Sequence, residues 1–183
     1  GGNFMLRVAT SQHPQVPQLA GVVAVSPVLH PESAMRAMET GWPIYQRYFV
    51  HKWHRSLARK RTLWPTGLID EDIFRQRNLR RMTAAMVARH TSFAHIDHYL
   101  DGYAVTGDRL ATLAAPAVVL ASRDDPIIPA VDLPRLAANT QLRVVTTEHG
   151  GHMGFMQSPF SPSWINAFVA REMGVAAGPP SGG

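Results

Sequence analysis

Cysteine is absent from this sequence, which excludes a disulfide framework, a thiolate metal site and a thiol nucleophile. No apolar run approaches the roughly 18 consecutive residues that a membrane-spanning helix requires, and the longest apolar stretches are strand-sized. An initiator methionine and a charged leader are also missing, so the chain reads as one that begins in mid-fold. There is no internal repeat. What is present fits one globular core: 183 residues with 45% hydrophobic content are enough to bury a single domain or a large piece of one. A formal charge of +5 raises the question of an anionic partner, because summed positive potential draws phosphates and acidic surfaces.

The most informative stretch is Ala117-Val-Val-Leu-Ala-Ser-Arg-Asp-Asp-Pro-Ile-Ile-Pro129. An apolar run that ends in two carboxylates and two prolines predicts a buried strand delivering an acid to its C-terminal edge. Arg143-Val-Val-Thr-Thr-Glu-His-Gly-Gly-His-Met-Gly-Phe155 repeats the design with a histidine, its β-branched run breaking at Gly150 and Gly151 just before His152. A helix over about 131–139 is expected to join the two strands, which makes them parallel and puts both ends on one edge. That edge is where open α/β sheets bind ligands.

Elsewhere, Leu19 to Pro27 predicts a third buried strand at about 21–25. Before it, apolar residues at 4, 5, 8 and 9 predict a short buried helix. From about 31 to 112 the pattern is helical. Ile44, Tyr45, Tyr48, Phe49, Trp53 and Leu57 recur at helical spacing and form an aromatic-rich face, read first as core packing and second as a substrate wall built from Tyr45, Phe49 and Trp53. Asp70 opens another helix with acids in its first turn, Arg80 and Arg81 follow near its end or in the turn after it, and a further helix runs from about 82 to 90. A final helix over 163–172 is expected to cover the sheet with Trp164, Ile165, Phe168 and Val169. The tail at 175–183, rich in Gly and Pro, predicts disorder.

An Asp–His pair serves acyl-transfer chemistry when the carboxylate orients the imidazole while the other ring nitrogen takes a proton from a nucleophile. Asp125 and His152 are the candidate pair, with Asp124 as the alternative acid. Three histidine pairs, His51/His54, His95/His98 and His149/His152, are spaced three apart. They fall in different segments and the His-Glu-x-x-His pattern is absent, so no metal site is assigned, although Asp97 stands beside His98. Arg47, Lys52, Arg55, Arg59, Lys60 and Arg61, with Arg75, Arg77, Arg80 and Arg81, carry most of the basic excess. They read as a solvated helical face, or as a surface for an anionic membrane. No nucleic-acid motif accompanies them.

Three motifs, Gly1-Gly2-Asn3 with Leu6, Asp124-Asp125-Pro126, and Glu148-His149-Gly150-Gly151-His152-Met153-Gly154-Phe155, resemble α/β-hydrolases of the YheT type. These are a carboxylesterase-like group related to the mammalian abhydrolase-domain lipases. The resemblance runs from Gly1 to about Glu172, the helical middle matching only loosely, and implies the C-terminal part of an α/β-hydrolase fold, with residues 1–174 as a partial domain. The helical stretch over about 31–112 is read as a cap insertion from its position, since it leaves the sheet after the strand ending near Val25 and the chain re-enters the sheet at Ala117. The resemblance implies that Gly1, Gly2 and Asn3 close a Gly-x-Ser-x-Gly-Gly-Asn nucleophile elbow whose serine lies two residues before Gly1. It implies that Asp125 is the acid, through its Asp-x-x-x-Pro spacing to Pro129, and that His152 is the general base. His149 receives no role.

The implied activity of the whole protein is hydrolysis of a small-molecule or lipid ester with no cofactor, in a cytoplasmic or membrane-peripheral setting. The chain alone is expected to be inactive, without the serine and the oxyanion donors. A non-catalytic binding module on the same fold, or dehalogenase or epoxide-hydrolase chemistry, stays open as an alternative.

Overall fold

The computed structural model describes residues 1–10, 18–64, 69–155 and 163–174. The tail at 175–183, for which the sequence predicts disorder, lies outside these residues. The chain divides into two compact units, one made of Gly1–Leu29 and Val105–Gly183, the other of His30–Ala104.

The first unit is built on three parallel strands, β1 (Val22–Val25), β2 (Ala117–Ser122) and β3 (Leu142–Thr147), in the order β1-β2-β3. Val22 pairs with Ala117, and Ala117 with Leu142. All three strands stand where the apolar runs place them. Side chains alternate across a strand, so each face of the sheet has its own core. On one face Val22, Ala24, Ala117 and Val119 meet Leu6 and Ala9 of the helix α1 (Gly2–Ala9), together with Leu29, Val105 and Leu110. On the other, Leu120 packs with Phe155 and Phe168, flanked by Val23, Val25 and Val118.

Two local expectations for this unit are corrected. In α1 the buried residues are Leu6 and Ala9, while Phe4 is 63% exposed. The expected helix over 131–139 is only a 3₁₀ segment, Ala130–Arg135. Pro134 explains the second difference, because its ring removes a backbone donor and clashes with a regular α-turn.

The second unit is helical, with α2 (Pro31–Thr40), α3 (Pro43–Leu63), α4 (Glu71–Arg75), α5 (Leu79–His90) and α6 (Ile96–Gly102). Prolines at the first positions of α2 and α3 suit helix starts, where their missing N–H is not needed. Asn78 caps α5, its side chain accepting from the Arg81 N–H at 3.0 Å. Arg80 and Arg81 therefore lie in the first turn of α5, not at the end of the preceding helix or in the turn after it.

The core of this unit gathers Met35, Val50, Leu57, Ile73, Leu79, Met82 and Leu100, with Phe49 and Trp53 packed against it. Tyr45 is half-buried, whereas Ile44 and Tyr48 are exposed. The stripe seen in the sequence is therefore only partly a core face. Arg80 bridges α2 and α5 through Glu32, with bonds of 2.8 and 2.9 Å, and Glu39, at 3.0 Å. One member of the basic set is thus consumed inside the unit. The last helix among the described residues, α7 (Trp164–Glu172), belongs to the sheet unit and buries Phe168. No helix among the described residues is long and apolar enough to cross a membrane.

Candidate active site

The C-terminal edge of the sheet receives Asp124 and Asp125 just past β2 and the glycine-rich turn just past β3. Pro126 follows Asp125 and cannot offer an N–H, so the carboxylate turns back to the next two donors. Asp125 Oδ1 accepts from the N–H of Ile127 at 2.8 Å and of Ile128 at 2.9 Å. Ile127 and Ile128 are buried and fix those donors in place. With Oδ1 occupied, Oδ2 faces the imidazole, 3.0 Å from His152 Nδ1. The Asp125 side chain is only 2% exposed, against 34% for His152. A buried acceptor with one free oxygen fixes both the orientation and the tautomer of the ring. Among the described residues His152 Nε2 makes no hydrogen bond, so it is the nitrogen available to a substrate or a nucleophile.

The turn that carries His152 has a physical reason for Gly150 and for Gly151. Gly150 has none of the room a side chain would need: a Cβ there would lie 2.8 Å from the Phe155 ring and 3.1 Å from Ser122 Cβ. Gly151 adopts φ +54°, in the left-handed region, and its N–H donates to Asp124 at 2.8 Å. Phe155, itself buried, anchors the end of the turn between Leu120 and Phe168. The spacing of the motif is thus the spacing of a turn clamped over the end of β2.

Asp124 is where sequence reasoning was incomplete. It does not reach His152 in the structure; it holds the turn. Its Oδ1 lies in a short hydrogen bond with Ser122 Oγ and also accepts from Gly151 N–H. Ser122 Oγ is 3.0 Å from the Gly151 carbonyl as well, so its single proton serves one of two acceptors at a time. The Ser122 hydroxyl, followed by the Gly151 N–H, lowers the Asp124 carboxyl to about 2. His149 is exposed, its Nδ1 3.5 Å from Asp124 Oδ2. A serine two positions before an Asp-Asp pair was the available signal for this clasp, but its partner lies across the sheet edge.

Gly1, Gly2 and Asn3 stand at the start of α1. A Cβ on Gly2 would meet the Cβ atoms of Ala24 and Pro27 at 3.1 Å, and Asn3 Nδ2 donates to the Val28 carbonyl at 2.8 Å. The helix therefore rests tightly on the end of β1. Next to that contact Ser26 has φ +40° and is 5% exposed, and its Oγ has no partner among the described residues. Nothing in the sequence pattern singles it out. Tyr45, Phe49 and Trp53 lie in the helical unit, as described above. No group of three or more His, Asp or Glu side chains suited to a metal ion occurs among the described residues.

Fold and site together define a class: an α/β protein in which consecutive parallel strands bring an acid and then a histidine to one edge, the order in which α/β-hydrolases carry them. In sequence the chain is similar to α/β-hydrolases of the YheT type. YheT of Escherichia coli (strain K12), provisionally named an esterase, is 28% identical over 162 residues, 85% of this chain and 46% of that protein. Human ABHD15 is 28% identical over 158 residues, 82% of this chain and 33% of that protein. The chain thus spans less than half the length of the curated relatives it matches. The solved structure AbyA5 superimposes with a TM-score of 0.46 at 22% identity, over 94% of this chain and 40% of its own. That likeness is too loose to carry an argument. No family model matches the chain.

Proposed function

We propose that the whole protein is a serine carboxylic ester hydrolase in which His152 is the general base and Asp125 holds it. The observation that carries this reading is the Asp125 carboxylate, pinned at Oδ1 by two backbone donors and placed by Oδ2 on His152 Nδ1. In the proposed cycle a serine hydroxyl adds to the ester carbonyl as its proton passes to His152 Nε2. That proton then goes to the departing alcohol. Water, deprotonated by the same nitrogen, releases the acid and restores the serine. The imidazolium formed in each half-cycle is stabilised by Asp125. By resemblance the serine stands two positions before Gly1. The relatives' names support a hydrolase of this kind, and the esterase description of YheT supports the ester bond as its target.

The test uses the full-length protein. A fluorophosphonate probe is expected to label that serine, and p-nitrophenyl acetate turnover to fall by several orders of magnitude in His152→Ala. Absence of both labelling and turnover in well-folded protein would overturn the proposal.

Tyr45, Phe49 and Trp53 are proposed to influence the choice of acyl chain. Phe49→Ala and Trp53→Ala are expected to change the relative kcat/KM for short and long acyl groups, with ~1–3 kcal/mol at stake per methylene-scale contact. Loss of thermal stability with an unaltered chain-length profile would assign both residues to packing alone.

A further inference from the structure

The helical unit contains a concavity of about 480 Å³ lined by Arg47, Val50, His51, His54, Phe74 and Arg77. Its four polar residues all carry, or can carry, positive charge. Arg47, Val50, His51 and His54 lie three or four apart along α3, so they share one helix face, and the opposite wall comes from Phe74 and Arg77. Neither arginine has a carboxylate partner among the described residues. The acids nearest in sequence are engaged elsewhere, Glu71 with Arg61 and Asp72 with Arg75 and Arg89. His54 also lines the concavity, its ring tilted against that of Phe74, while its Nε2 is turned away from solvent with no hydrogen-bond partner among the described residues.

We propose that this pocket binds an organic anion, a phosphate monoester or head-group phosphate attached to an apolar or aromatic group. Two guanidiniums without a carboxylate partner among the described residues repel a metal cation, which argues against reading His51 and His54 as ligands. The same guanidiniums present planar donors suited to phosphate oxygens. Phe74 is already an aromatic contact surface: the His54 ring centroid lies 5.8 Å from its own, and the Arg61 guanidinium sits 4.6 Å from its centroid. Its exposed part and Val50 offer the apolar portion of a ligand a place to rest. Nothing in the proposed ester hydrolysis requires this pocket, and its test does not depend on that activity.

The probes are phenyl phosphate, phenol as its neutral counterpart, and vesicles of phosphatidylglycerol or phosphatidylcholine, with calorimetry and co-sedimentation as readouts on the 183-residue chain. Phenyl phosphate is expected to bind saturably, one to one, and phenol not to bind. Arg47→Gln and Arg77→Gln are each expected to weaken binding by about tenfold or more. Arg55→Gln, outside the pocket lining on the same helix, serves as the control for general charge and is expected to have little effect. Pocket-dependent retention on phosphatidylglycerol vesicles, competed by phenyl phosphate, identifies the source as a lipid head group; binding of phenyl phosphate without vesicle retention identifies a soluble ester. Both results support the pocket. Folded protein that shows no saturable binding, or binding lost equally in Arg55→Gln, overturns it. Vesicle binding insensitive to Arg47 and Arg77 overturns it as well.

Discussion

At the scale of single residues, two adjacent carboxylates do different work because each meets a different partner across the edge of the sheet. Asp125 faces His152 and Asp124 faces Gly151. In the full-length protein Asp125→Asn is therefore expected to lower kcat by about 10⁴, the amide being unable to hold the ring in the productive tautomer. Asp124→Asn should cost far less, because an amide oxygen still accepts from Gly151. Equal losses in steady-state kinetics would reverse the assignment. Asp124 also predicts an acid response. Its carboxyl is lowered from 3.8 to about 2 in the folded chain, so its contribution to stability is complete above the unfolded value and is lost as pH falls through the folded one. Thermal melts of the 183-residue chain and its Asp124→Asn variant between those two values should converge toward the lower end. The pair Asp125 and His152 was legible from the sequence because proline and glycine mark the ends of two strands. The clasp made by Asp124 was not, since it depends on an N–H 27 residues away.

At the scale of elements, turns and helix ends decide what the apolar pattern leaves open. Gly150→Ala puts a methyl group against the buried Phe155 ring and the Ser122 Cβ, and the expected cost is ~1–3 kcal/mol in chemical denaturation. Gly151→Ala forces a left-handed residue, at ~1–2 kcal/mol, and should also reduce activity through the orientation of His152. An unchanged denaturation midpoint for both variants would show that the turn is slack. In the helical unit, Arg80 holds Glu32 below its ordinary carboxylate range by direct hydrogen bonding. Arg80→Gln leaves Glu32 and Glu39 without their shared guanidinium and should destabilise the chain by ~1–3 kcal/mol, read from the same measurement. Strands were legible because continuous β-branched and apolar runs have few other uses. The helix over 131–139 was misread because its apolar spacing is helical while Pro134 forbids the hydrogen bonds. The face of α3 was overread, since spacing identifies a stripe but not how much of it a neighbour covers.

At the scale of the whole molecule, the chain makes its sheet in two instalments separated by the helical unit. The sequence pattern ends the helical stretch near Thr112 and re-enters the sheet at Ala117, where β2 begins, whereas the sheet unit already resumes at Val105. Val105 and Leu110 enter its core without forming a strand, and therefore without the alternation that would reveal them. The Val105 N–H donates to the Leu29 carbonyl at 2.8 Å, so the departing and returning segments are tied at one stem. That stem bears on the kinetics of assembly. Strands β1 and β2 are neighbours in space but remote along the chain, and the entropy of closing so long a loop must be met before their contacts repay it. Local helix contacts within His30–Ala104 form sooner, and once that unit has condensed, the effective tether between the strands shortens. The helical unit would then act as an internal folding aid for the sheet, with its own refolding phase preceding the acquisition of protected amides in β1 and β2. Pulse-labelling hydrogen exchange during refolding checks the order, and simultaneous protection of α3 and β1 would remove the idea.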